Sequence, residues 1–469
     1  MTRLRLTLIP TGLLTAAVYL ATLFFYLKGP AVHSRTAKQV FAILSVAALL
    51  VLFWQGYKLL RNESSDSSFR AVVIIGLILA AIAVFIFPFH STDVFGYINR
   101  GWQQVHYGQN PYGHTLSEVP NWQSDPMLRE HWIFNPNPYG FLFTLLARGL
   151  AYLGGGNWWF TLFLFKLVNF CAYVATAVLV WRGSNYLNRD QRVATLYLFL
   201  WNPLILMHCI ANGHNDILTG LLVVTAFYLA LRGRWFWVIP ALTGAALLKY
   251  APGLLVPVAF VFVVKHRGWM VACGSVLVAG LLAVAVSLPY LSDFEIIRLW
   301  NIQENATLLD NSLHSVLVHL FDYAARVVHP LAVFHDYVDR AIKWTLRIGF
   351  LIFLVWQWIK IPKDFSVDHF MKKCLWILFV LFCVVTSKFN AWYMAIMLPL
   401  ALLVGLNHWL ARAVVLITAA QTMALTFMKQ AYVVNYVLMI GLPIMIVWRQ
   451  HRRAEDARLI DSEPAGDTT

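Results

Sequence analysis

Apolar runs close to the length of a membrane span recur along almost the whole chain, parted by short polar loops. They lie near 6–27, 40–60, 71–87, 158–181, 193–210, 217–231, 269–290, 341–359 and 374–386, with three more before Arg449. A crossing takes roughly 20 apolar residues, so the pattern predicts an all-α polytopic membrane protein of about 13–14 transmembrane segments. The first run is followed by further spans and by no small-residue cleavage site, which predicts a retained helix rather than a signal peptide. A single transmembrane domain is expected over 1–450, followed by a cytoplasmic polar tail, 451–469, without regular structure.

Two stretches break the rhythm. From 88 to about 157 the chain is polar and rich in Pro, Trp, His and Asn, then ends in a short apolar piece closed by glycines. This reads as an outer loop with a helix at the membrane surface. A second outer segment with some amphipathic helix is expected at 291–335. The run from Trp235 to Val264 is basic at both ends, too short for two full spans, and interrupted at Leu248-Lys249-Tyr250-Ala251-Pro252-Gly253. Two half-helices would set Lys249 at membrane depth, which is tolerable where it lines a polar cavity.

Basic loops orient the spans. Arg182, Arg189 and Arg192, then Arg232 and Arg234, then Lys265 to Arg267, and finally RQHRR at 449–453 mark the cytoplasmic side. Only the N-terminal hairpin, with Lys28, Arg35 and Lys38 in its outer loop, runs against this bias. With that orientation the Asp93 loop, Asn212 to Asp216, Lys249 and the stretch 387–393 all fall on the non-cytoplasmic side, which predicts one outward-facing cavity.

Composition agrees: 60% of residues are hydrophobic and only 12% charged, against about 25% charged in a soluble domain. The net charge of +14 sits largely in short loops and the tail, where it reports orientation and anionic headgroups. No soluble basic module for nucleic acid is visible. The five cysteines lie in or beside apolar runs without CxxC or Cys/His spacing, and read as core residues.

Few polar residues are placed for chemistry. Among the acids, Asp93 and Asp216 lie at the edge of a span, where partial desolvation is expected to raise a carboxylate into the range useful to a general base. Asp93 follows Pro88 in an aromatic setting; Asp216 suits helix N-capping equally well. Lys249 has no acid near it in sequence, and a phosphate would be a natural partner. Arg100, Arg129, His131 and Lys388 could add to such a site, although Arg100 could instead anchor to lipid. Asn110, Tyr112, Tyr139, Trp392 and Tyr393 suit the faces and hydroxyls of a sugar; the last two equally suit an interfacial aromatic belt. His214 and Asp216 lack a third metal ligand.

The order STDVFGY, YGQNPY, NPNPYG, WNPLILMHCIANGHND, LLKYAPGLLVP and KFNAWYMAIMLPLALL resembles the GT-C membrane glycosyltransferases. It is most similar to the bacterial polyprenyl-phosphate-mannose-dependent α-mannosyltransferases, over about 71–410. The resemblance implies a GT-C fold and an inverting transfer of a sugar, expected to be mannose, from a polyprenyl-phosphate carrier to a glycan or glycolipid. The reaction would take place outside the cytoplasmic membrane. Asp93 would be the base, Lys249 would face the donor phosphate, joined on the residue reading above by Arg100 and Lys388, and Asn212, His214, Asn215 and Asp216 would contact substrate. A lipid-linked donor is already activated, so no cofactor or obligatory metal is expected. The alternative is a transporter or flippase of a lipid-linked sugar, which would call for an internal repeat and polar groups through the midplane.

Overall fold

The computed structural model describes residues 2–27, 33–187, 191–291, 311–427 and 432–462. Its regular elements, among these residues, are helices. They are α1 (Thr2–Phe25), α2 (Arg35–Leu60), α3 (Asp66–Phe85), α4 (Asp93–His106), α5 (Phe141–Gly154), α6 (Trp158–Leu187), α7 (Arg192–Leu200) and α8 (Asp216–Leu231). There follow α9 (Val238–Leu248), α10 (Val256–Ser287), α11 (Leu313–Val327), α12 (His335–Ile359), α13 (Val367–Val380), α14 (Met394–Val404), α15 (Trp409–Phe427), α16 (Tyr432–Tyr436) and α17 (Leu442–Ser462).

Among the described residues seven helical stretches are long and apolar enough to cross a membrane. An eighth is the pair Arg192–Leu200 and Ile205–Ala211, bent by 49°, and five shorter apolar helices accompany them. The protein is a multi-pass membrane protein. The second outer segment expected at 291–335 lies partly outside the described residues, Arg298 and Glu304 included. The tail departs from expectation: α17 continues to Ser462, in keeping with the Ala, Arg, Glu and Leu that populate it.

Helices α8 and α14 form the hub. All eleven residues of α14 are buried, as expected for a helix apolar on every side. α8 packs against α6, α9 and α14. Among the described residues three π-helical turns interrupt the bundle, at Ile205–Ala211, Leu381–Val385 and Val437–Gly441. Such turns widen a helix locally and often adjoin functional sites; the first two run directly into Asn212 to Asp216 and into the 387–393 stretch.

The break at Lys249 follows from Pro252. A proline removes its own N–H bond and its ring crowds the carbonyl four residues back, that of Leu248. α9 accordingly ends at Leu248, and Lys249 is extended (φ −144°, ψ 133°). The freed Leu248 carbonyl accepts instead from Gly140 N–H at 3.1 Å. The proline in one stretch thereby docks the NPNPYG loop of another.

Candidate active site

The loop that carries Asp93 is held from two directions. α3 stops before Pro88, and the exposed end of its ladder is met by α6, whose buried Lys166 ammonium donates to the Ile86 carbonyl. Next, the Asn212 carboxamide oxygen accepts from the N–H groups of Phe89 (2.8 Å), His90 (2.8 Å) and Ser91 (3.4 Å). Its own amide donates to the Met207 carbonyl at 2.6 Å, inside the first π-helical turn. Asp93 then opens α4, its N–H donating to Ser91 Oγ at 3.2 Å. A carboxylate in a first turn is favoured by the partial positive charge there.

Two imidazoles flank this carboxylate. His131 Nε2 lies 3.5 Å from Asp93 Oδ1, and His214 Nδ1 lies 3.6 Å from Oδ2. Asp93 keeps 21% of its side chain exposed and His131 13%, whereas His214 is fully buried. His214 stacks on Trp392 with ring centres 3.8 Å apart. It is delivered there by Gly213, whose φ of +77° is a conformation that a side chain would strain. From α6, Asn169 donates to the carbonyls of Cys209 (2.9 Å) and His214 (3.1 Å) and pins the same turn.

Lys249 has an acid partner after all. Its ammonium is 2.7 Å from Asp216 Oδ1, with the carboxylate fully buried and the lysine side chain 18% exposed. No acid stands near Lys249 in sequence, and the structure supplies one from a distance: the pair is joined by the packing of α8 on α9. Lys249 also lies 5.4 Å from the centre of the Tyr393 ring. Asp216 is the first helical residue of α8, with Asn215 before it, and its carboxylate faces the lysine rather than capping. Asn215 accepts from the Tyr97 hydroxyl at 3.3 Å. Tyr139 packs edge-on to Tyr97 at 5.0 Å and lies within electrostatic reach of Asp93 and Asp216. Lys388 sits 6.0 Å from the Trp132 ring, one residue along from His131.

The four polar stretches singled out in the sequence therefore converge: Asp93 on His214, Lys249 on Asp216 and Tyr393, and His214 on Trp392. Other expected contacts are occupied otherwise. Arg100 is buried and donates to Gln103 Oε1 (3.2 Å) and to the carbonyls of Trp132 (3.0 Å) and Asn135. Arginine carries five donors, and here they hold a loop rather than a phosphate or a lipid. Asn110 donates to the Tyr290 carbonyl at 3.1 Å, and the buried Tyr112 hydroxyl donates to the Tyr139 carbonyl at 2.7 Å. Both brace the outer loop, and Asn212 is committed to 89–91.

The charge state of Asp93 also departs from expectation. Burial pushes its carboxyl upward, but the contact with His131 and the charges of His214, His131 and Lys249 outweigh it and hold the group at about 2. Lys166, Asn169, Ser91, Tyr97 and Thr92, whose hydroxyl is 2.7 Å from His131 Nδ1, were not singled out from the sequence. A lysine inside an apolar span is itself a signal, and Lys166 was legible on that ground. Among the described residues no three His, Cys, Asp or Glu side chains are grouped so as to hold a metal ion.

Residues 9–265, more than half of the chain, match the family model described as alpha-(1->6)-mannopyranosyltransferase, N-terminal domain. The chain belongs to that family. Among mannopyranosyltransferase relatives, alpha-(1->6)-mannopyranosyltransferase A of Mycobacterium tuberculosis is 28% identical over 214 residues, 45% of this chain and 40% of the relative. A second alpha-(1->6)-mannopyranosyltransferase of that organism is 30% identical over 158 residues, 31% of this chain and 25% of the relative. Alpha-(1->6)-mannopyranosyltransferase A of Corynebacterium glutamicum is 24% identical over 233 residues, 48% and 46% respectively. The matches span less than half the length of each of these relatives. The family region contains Asp93, His131, Asn212 to Asp216 and Lys249; Lys388, Trp392 and Tyr393 lie beyond it.

Proposed function

We propose that this protein is an inverting mannosyltransferase. It moves mannose from a polyprenyl-phosphate carrier to a hydroxyl of a glycan or glycolipid acceptor, in a GT-C type fold, on the outer face of the cytoplasmic membrane. The observation that carries the reading is the placement of one partly exposed carboxylate, Asp93, in the same polar cluster as Lys249. Family membership and the names of the relatives supply the sugar.

In this reading Asp93 takes the proton of the acceptor hydroxyl as that oxygen attacks the anomeric carbon. The bond from carbon to phosphate oxygen breaks, and the polyprenyl phosphate leaves with the electron pair. Lys249, turned from Asp216 toward the incoming anion, and Lys388 at the rim stabilise the departing charge. Cationic neighbours weaken Asp93 as a base in the free protein. A bound phosphate reverses part of that effect, since a nearby anion raises a carboxylate's proton affinity. The base strengthens when the donor is in place. The other carboxylate of the cluster, Asp216, is fully buried against Lys249, which leaves Asp93 to act alone and favours direct displacement. Inversion to an α product implies a β-linked donor. In this reading Tyr139, Trp392 and Tyr393, which adjoin Tyr97, His214 and Lys249, pack on the sugar.

Asp93→Asn keeps size and polarity but loses the base. Transfer by the purified variant should fall by about 10²- to 10⁴-fold while donor affinity stays within a few-fold of wild type. Turnover close to wild type would remove Asp93 as the base.

A further inference from the structure

His131 is placed more deliberately than a neighbour of a catalytic acid needs to be. Asn99 and Arg100 of α4 grip the outer loop on both sides of it. The Asn99 side chain donates to the Arg129 carbonyl (2.7 Å) and accepts from the Arg129 N–H (3.0 Å), while Arg100 holds the carbonyls of Trp132 and Asn135. Between the clamps Trp132 adopts a φ of +49°, unusual for a bulky residue and a mark of constraint. The result turns the His131 ring onto the first turn of α4. Space for it exists because residue 96 is glycine: a Cβ there would lie 2.9 Å from His131 Cδ2. Thr92 Oγ1, 2.7 Å from Nδ1, fixes the ring so that Nε2 faces Asp93. That nitrogen has no hydrogen-bond partner of its own and stands 3.5 Å from the carboxylate. Such separations are common before substrate binds and tighten in the working complex.

We propose that His131 resets the base: it takes from Asp93 the proton that the acceptor hydroxyl gave up, and releases it at the rim of the site. The proposal rests on the mannosyl-transfer reading. In the step, the O–H bond of protonated Asp93 breaks and an N–H bond forms at Nε2. The imidazolium then loses its Nδ1 proton to water on the side of Thr92, which is exposed, and solvent exchange of the remaining proton from Nε2 to Nδ1 frees Nε2 for the next cycle. Asp93 is left as a carboxylate for the next acceptor. Of the two flanking imidazoles only His131 has this exit, because His214 is fully buried beneath Trp392. His131 is a positioning and relay residue, not a group that touches the sugar.

The test uses the full-length protein in detergent with lipid-linked donor and acceptor. His131→Gln should lower kcat by about 10- to 100-fold, below what loss of the primary base costs, with KM for donor and acceptor within about twofold. His131→Ala should lose as much, and added imidazole should restore turnover in a saturable way. Gly96→Ala should still fold, because the helix preference of alanine offsets part of the cost of moving the ring, yet lose turnover as its methyl displaces the ring. A kcat for His131→Gln within twofold of wild type overturns the proposal. So does a loss confined to KM, or a His131→Ala variant that imidazole does not revive. Should His131→Ala fail to fold, the Gln variant and Gly96→Ala decide. Failure here is separable from failure of the transfer reading, because transfer by the wild-type protein from the lipid donor tests that reading without touching His131.

Discussion

At the scale of single residues, the site is a balance of charges in which each group has a second duty. Lys249 serves Asp216 before it can serve a phosphate. Removing one member of a buried ion pair leaves the other uncompensated, at about 3–5 kcal/mol. Lys249→Ala should therefore lose both stability and donor affinity. The double variant Lys249→Ala/Asp216→Ala should recover most of the stability, since no unpaired charge remains, but none of the affinity. Thermal unfolding and donor-lipid binding in detergent measure the two separately, and recovery of both together would make the lysine purely structural. Residue type alone singled out Asp93 and Lys249, which the fold brings into one polar cluster, because a charge at membrane depth needs a polar reason. It misplaced Arg100, Asn110 and Tyr112, because an arginine, an amide or a phenol looks the same in sequence whether its donors meet a ligand or a neighbouring carbonyl.

At the scale of elements, the chemistry is set by where helices stop. α3 ends before Pro88, α9 before Pro252, and α7 gives way to a π-helical turn beyond Pro203. Each interruption frees backbone groups that a side chain or a backbone N–H from elsewhere then meets. Asn212 is the clearest case, its one oxygen accepting from three consecutive N–H groups below Asp93. Asn212→Ala should cost about 1–3 kcal/mol, the usual range for donors left unsatisfied away from water. It should also lower turnover by loosening the Asp93 loop; an unfolding midpoint and a rate equal to wild type would show that the clamp is dispensable. The broken helix at Lys249 was legible because proline and charge sit together in an apolar run. The clamps were not, since Asn212 and residues 89–91 are more than a hundred positions apart and meet only through the packing of α3, α6 and α8. The pKa expectation for Asp93 failed for a related reason: desolvation can be guessed from a span edge, but two histidines and a lysine converging from three other segments cannot.

At the scale of the molecule, a bundle of membrane helices brings residues from 93 to 393 into one polar cluster, and membership of the alpha-(1->6)-mannopyranosyltransferase family covers the part that holds the carboxylate. The central claim is that this cluster transfers mannose from a lipid phosphate. It is tested most directly by incubating the purified protein with acceptor and either β-linked polyprenyl-phosphate mannose or a nucleotide-linked mannose, and reading the anomeric configuration of the product by NMR. The expected result is an α-mannoside from the lipid donor alone. Absence of product from the lipid donor, a β-mannoside, or equal transfer from the nucleotide would contradict it.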